Sequence, residues 1–238
     1  MYIDPNNPPN FLITGTDTNV GKTVVSLLLM QFYYDCGFKP FYLKPIQTGC
    51  SHSKDQESDA RFIYEHIPDL KSCDPSNSII YCLKNPKAPW FAARNELSGI
   101  RIDTLIQLIH QKLDQYSPVI IESAGGLMVP INQTSLIIDI IPEINAIPIL
   151  VARTGLGTIN HTLLSINAMK ERNIEPFGIV LSDSNTFSPS NEMIEENIEA
   201  IEHFSDVKVL GIVEKTNDFN CLLKTNYNIF NIPKIRYL

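Results

Sequence analysis

Residues 15–23 read Gly15-Thr16-Asp17-Thr18-Asn19-Val20-Gly21-Lys22-Thr23, between an apolar run at 11–14 and an apolar stretch that opens at Val24. A strand that turns through glycines straight into a helix restricts the fold sharply, because the first amides of that helix point at whatever fills the turn. Gly21 lets the backbone approach phosphate oxygens, Lys22 supplies a point charge, and the Thr23 hydroxyl is a magnesium ligand by type. Five residues separate Gly15 from Gly21, one more than in the common G-x4-G-K-[ST] spacing. A chance Gly-Lys-Thr in a glycine turn is the bland alternative, but the strand before it and the helix after it favour a phosphate loop. No Asn-Lys-x-Asp segment that would read guanine is present, and Lys215-Thr216-Asn217-Asp218 does not fit one, which favours ATP over GTP.

The rest of the chain alternates short apolar runs with longer amphipathic ones, the pattern of β-α units around a mostly parallel sheet. Strands are expected at residues 11–14, 41–44, 79–81, 119–122, 148–152, 177–181 and 207–213, and helices at 22–35, 58–66, 103–115, 160–172 and 191–203. The expectation is one α/β domain over residues 1–238, with a polar lead-in at 1–10, polar loops at 52–58 and 68–77, and an Asn-rich stretch at 214–238 whose structure the pattern does not assign. A length of 238 residues suffices for a core without disulfide staples. The net charge of −7 argues against nucleic acid or an anionic membrane held by bulk charge, so a polyanion must be met in a local pocket. Five cysteines, odd in number and without C-x-x-C spacing, read as reduced thiols of a cytoplasmic protein. The start of the chain has no basic, apolar leader, and the most apolar region, 136–151, is broken by Asp139, Pro142, Glu143 and Pro148, short of the ~20 unbroken apolar residues of a membrane span.

Further chemistry clusters where the strands are expected to end. Lys44, in Leu43-Lys44-Pro45, is expected to close the second strand, with Pro45 stopping it and the ammonium projecting from the carboxyl edge of the sheet, where ligands bind in open α/β folds. A solvated strand-end lysine is the alternative. Thr48 and Gly49 follow within reach of the same ligand. Val119-Ile120-Ile121 runs into Glu122, a carboxylate placed as a second magnesium contact, and Gly125 and Gly126 leave room for a ligand. Asp59 opens a helix, where it is either a first-turn acid favoured by the dipole or a metal ligand. Gly155-Leu156-Gly157-Thr158-Ile159-Asn160-His161 is either a tight turn or a second anion site, and His161 either a base or a packed capping residue. The remaining histidines show no metal spacing.

Taken in order, the loop 15–23, Leu43-Lys44-Pro45-Ile46-Gln47-Thr48-Gly49, Ser58-Asp59-Ala60, Glu122-Ser123-Ala124-Gly125-Gly126 and the run 155–161 resemble the dethiobiotin synthetase family over nearly the whole chain. The resemblance implies a P-loop NTPase fold and an ATP-dependent cyclo-ligase that joins 7,8-diaminononanoate and CO2 (or bicarbonate), releasing ADP and phosphate. It implies Lys22 and Lys44 as catalytic residues and Thr23, Asp59 and Glu122 around Mg2+. Asn19, Val20, Gly21, Val24, Gly125, Ser182 and Asp183 would join them at the nucleotide, and Thr18 and Thr48 would contact substrate. A homodimer is implied as well, in which Gly157, Thr158, Ile159 and Asn160 of one subunit receive the substrate carboxylate at the other. Departures are Asn19 for a usual Glu, Ser123 for a Gly that would otherwise leave the phosphates uncrowded, Ser182 for an Asn that reads adenine, Glu214 for a Pro, and Trp90 for a His, expected only to line the substrate channel.

Two other readings compete. A switch ATPase of the septum-site or plasmid-partition kind would carry a signature lysine five residues before the loop lysine, where this chain has Asp17. An amidotransferase synthetase acting on corrinoid acids would need a glutaminase domain for which 238 residues leave no room.

Overall fold

The structure is a computed structural model and describes residues 8–96, 99–183, 188–222, 226 and 229. Residues 1–7 of the expected lead-in and most of the stretch 214–238 lie outside it.

Seven strands form one sheet in the order β3-β2-β4-β1-β5-β6-β7, every neighbouring pair parallel. They are β1 (Phe11–Gly15), β2 (Phe41–Thr48), β3 (Ile79–Leu83), β4 (Val119–Glu122), β5 (Ile147–Arg153), β6 (Gly178–Ser182) and β7 (Val209–Val213). Helices α1 (Lys22–Asp35), α2 (Asp59–His66), α3 (Pro89–Glu96), α4 (Ile102–Gln115), α5 (Ile137–Ile140), α6 (Thr158–Lys170) and α7 (Asn191–Ser205) complete it. Helices cover both faces, which is why the central strands read as continuous apolar runs rather than alternating ones.

Alternation along the strands sorts residues between two cores. Leu12, Leu43, Val119 and Ile121 enter one core with Leu105 and Ile109 of α4 and Ile166 and Met169 of α6. Phe11, Ile13, Tyr42 and Ile120 enter the other, with α1 and α2. Period two therefore carries Lys44 and Glu122 onto the α1 face, two residues beyond Tyr42 and Ile120. Ser190 caps α7, its hydroxyl accepting from the Met193 amide at 3.3 Å.

Pro45 does not stop β2, which continues to Thr48. The Phe41 amide donates to the Pro118 carbonyl on the β4 side, so odd-numbered residues of β2 turn their amides toward β4. Pairing with β4 ends at Leu43↔Ile121, whereas pairing with β3 runs from Lys44↔Ile79 to Thr48↔Leu83. The missing N–H of Pro45 thus falls where no partner strand remains. Two short helices were not expected: α3, an eight-residue segment with proline at its first position, and α5, a single turn closed by Pro142. The loop expected at 68–77 contains 3-10 turns at Pro68–Leu70 and Pro75–Ser78, and α6 begins at Thr158 rather than Asn160. Among the described residues, Cys36, Cys50, Cys73 and Cys82 are in no disulfide, and the Cys50 and Cys82 sulfurs lie 3.3 Å apart.

Candidate active site

The loop after β1 holds two left-handed residues, Asn19 at φ 57° and Gly21 at φ 96°. Glycine is needed at 21 for space as well as for φ, since a Cβ there would stand 2.2 Å from the Ser182 hydroxyl. Lys22 Nζ donates to the Asp17 carbonyl at 2.8 Å, closing the loop on itself. The Asp17 side chain accepts from the Thr18 amide and from Arg153 at the end of β5.

Across the cleft from this loop, Lys44 is buried between two carboxylates, 2.8 Å from Asp59 and 2.7 Å from Glu122, and also donates to the Ser123 carbonyl at 3.2 Å. Thr23 Oγ1 lies 3.0 Å from Asp59 Oδ1 and 3.0 Å from Glu122 Oε1. Burial alone would lower the Lys44 ammonium, but Asp59 and Glu122 hold its pKa above the ordinary lysine value. Burial raises and Lys44 lowers the Asp59 carboxyl, and the net direction is down. Lys22, by contrast, is lowered to about 8 by burial and by the charge of Lys44.

Sequence reasoning missed three supports of these groups. Ser26 Oγ and Tyr42 OH stand 2.9 and 2.8 Å from Glu122 Oε2, and Gln47 Oε1 accepts from the Asp59 amide at 3.2 Å. Helical spacing pointed to Ser26, four residues beyond Lys22 on the same face of α1, and strand alternation pointed to Tyr42, two residues before Lys44.

A cleft of about 750 Å³ joins the groups, lined among others by Thr18, Asn19, Gly21, Lys22, Thr23, Val24, Lys44, Thr48, Asp59, Glu122 and Gly125. Val20 is fully buried behind the loop. Thr23, Asp59 and Glu122 bring hard oxygens to one point, a donor set that suits Mg2+ and not a soft metal. No Cβ fits freely at Gly125, where it would stand 2.9 Å from Val129, so the wall of the cleft is bare backbone there. The residues present fit a triphosphate with Mg2+.

Comparison with known proteins places the chain in a family. Residues 9–220 match the family described as AAA domain. An ATP-dependent dethiobiotin synthetase of Halalkalibacterium halodurans is 39% identical over 220 residues, covering 90% of this chain and 88% of the relative. The chain belongs to the ATP-dependent dethiobiotin synthetase family. Another family member, from Paramagnetospirillum magneticum, is 37% identical over 202 residues and covers 85% of this chain and 86% of its own. The fold is shared more widely. The MinC:MinD cell division complex of Aquifex aeolicus superposes at TM-score 0.58 with 11% identity, covering 94% and 93% of the two chains. A ParA family ATPase of Chlorobium tepidum superposes at 0.55 with 15% identity, covering 94% and 97%.

Not every residue expected at the synthetase site joins the cleft. Ser182 ends β6 behind Gly21, and Asp183 follows it with its carboxylate accepting from Ser188. Gly157 caps α6 at φ 89°, and the Thr158 hydroxyl is buried against Thr162, so that side chain offers nothing outward. The Ser123 hydroxyl donates to Thr14 at 3.2 Å, away from the cleft, so it does not crowd the phosphate region. Trp90 does not line the large cleft but a separate one of about 450 Å³ with Arg94, Arg101 and Asn132, because its amide is pinned to the Pro130 carbonyl at 3.1 Å.

Proposed function

We propose that the chain is an ATP- and Mg2+-dependent cyclo-ligase that converts 7,8-diaminononanoate and CO2 into dethiobiotin with release of ADP and phosphate. The observation that carries this reading is the position of Lys44, a charged lysine held between two carboxylates on the cleft wall facing the phosphate loop. The names of the relatives support ATP as the co-substrate and dethiobiotin as the product. One amine of the diamine captures CO2 as a carbamate. A carbamate oxygen then attacks the γ-phosphate, and the second amine opens the resulting anhydride with loss of phosphate. Such a transfer asks the protein for position and charge rather than covalent help. Lys22 and the amides of residues 20–24 would hold the phosphates, Lys44 would neutralise charge between carbamate and γ-phosphate, and Thr18 and Thr48 would contact the diamine. Thr23, Asp59 and Glu122 would hold Mg2+, which when bound neutralises charge on the β- and γ-phosphates.

A second copy of the chain would complete the site. Leu156 is 95% exposed and Leu164, two turns along α6, is 60% exposed. An apolar pair of this kind at the start of a helix suits burial against a partner subunit, and it would bring the Ile159 and Asn160 amides to the substrate carboxylate. The reduced cysteines suit a cytoplasmic location.

The test is phosphate release by purified protein with ATP, Mg2+ and bicarbonate, with and without 7,8-diaminononanoate. Release that depends on the diamine is expected. Release that ignores the diamine and responds instead to a protein or membrane partner would return the switch-ATPase reading, which the Asp17–Arg153 pair at the signature position disfavours.

A further inference from the structure

Glu122 is 1% exposed and accepts from Thr23, Ser26, Tyr42 and Lys44. Its two oxygens are differently engaged. Oε1 faces Thr23 and Lys44, toward the cleft. Oε2 faces away, toward Tyr42 OH at 2.8 Å and Ser26 Oγ at 2.9 Å. The Ser26 hydroxyl has a single proton and lies equally close, at 2.9 Å, to the Lys22 carbonyl one helical turn back, so it serves Glu122 only part of the time. Among the described residues, the Tyr42 hydroxyl donates to Glu122 Oε2 alone. Tyr42 is itself fully buried between β2 and α1, so its ring cannot swing without opening the core.

We infer that Tyr42 is a positioning residue for the metal site: it holds Oε2 of Glu122 so that Oε1 is presented to the cation beside Thr23. The inference rests on the reading of Thr23, Asp59 and Glu122 as the Mg2+ site. A carboxylate that ligates through one oxygen is oriented by what binds the other, and loss of such an outer partner costs about 10–100-fold in metal affinity. Tyr42→Phe removes the donor and keeps the ring, so packing is preserved. Ser26 is the lesser partner, because its hydroxyl can turn to the Lys22 carbonyl.

The experiment measures binding of a fluorescent, non-hydrolysable ATP analogue while MgCl2 is titrated, for the wild type, Tyr42→Phe, Glu122→Gln and the double variant. Thermal unfolding in EDTA and metal-free binding of the analogue are followed alongside. The expected result is a Mg2+ midpoint raised about tenfold in Tyr42→Phe, with metal-free binding unchanged. Glu122→Gln should raise the midpoint further, and the double variant should add nothing to it. A Tyr42→Phe protein that is less stable in EDTA but keeps the wild-type Mg2+ midpoint would show a packing role only and overturn the inference. If Glu122→Gln also leaves the midpoint unmoved, the metal-site reading itself fails, and the inference with it.

Discussion

Arg153, the last residue of β5, donates to the Asp17 carboxylate at 2.9 Å and to the Thr18 carbonyl at 3.3 Å, tying the first half of the phosphate loop to the strand beside it. The Asp17 carbonyl in turn receives Lys22. Asp17 and Arg153 are 51% and 41% exposed, so the pair itself is worth no more than ~1 kcal/mol of stability. Arg153→Ala is therefore expected to leave the thermal midpoint nearly unchanged while weakening ATP binding several-fold, by isothermal titration. A large loss of stability with normal ATP binding would contradict this.

Removing the Lys44 side chain takes away the ammonium that sits between Asp59 and Glu122. Lys44→Ala should abolish diamine-dependent phosphate release while ATP binding largely survives. In metal-free buffer the protein should lose ~3–5 kcal/mol, the cost of an unpaired buried charge, and Mg2+ should restore part of it. Calorimetry with EDTA and with MgCl2 checks this, and equal losses in both would count against a shared metal site.

Gly21 adopts a left-handed conformation against Ser182. Gly21→Ala is expected to cost ~1–3 kcal/mol of backbone strain and to displace the loop, lowering both stability and nucleotide affinity. Pairing it with Ser182→Gly should recover the part due to the clash and not the part due to φ, a split readable by chemical denaturation.

The Lys22 ammonium, lowered to about 8 in the free protein by burial and by Lys44, must be charged to meet a triphosphate. Bound phosphates favour the charged form, so binding takes up a proton above that pH. ATP affinity should stay flat below about 8 and fall by up to about tenfold per unit above it. Lys22→Arg should abolish that fall, as measured by binding across pH 6.5–9.5.

Leu156→Asp is expected to leave the fold intact, since the side chain touches solvent almost entirely, and to shift the protein from dimer to monomer in light scattering. Phosphate release should drop with it. A variant that stays dimeric would move the proposed interface elsewhere.

Much of this was readable in the residues. The strand–glycine–helix junction at 11–24 placed the phosphate loop, and apolar runs placed every strand, most clearly the central ones that are covered on both faces. Asp59 could not be resolved from a simple first-turn acid until folding brought Lys44 and Thr23 beside it, since the contact spans 36 residues of chain. Strand alternation puts Tyr42 on the face of Lys44 but does not name its partner, and Arg153 gives no signal at all, since each acts through a residue on another strand or loop. The end of β2 was misjudged because proline's missing donor matters only where a neighbouring strand would use it, and the sequence does not say which side that is.

That detail shapes the footing of Lys44. Because β2 and β4 part company after Leu43 while β2 stays laced to β3, the sheet forks at Lys44, and Pro45 stands in the crotch with no hydrogen to offer the departing strand. The lysine is thus mounted on continuous strand rather than on a loose end. Replacing Pro45 with an ordinary residue would put an amide on the side that β4 has left, while Lys44 would keep its place on the α1 face of the sheet.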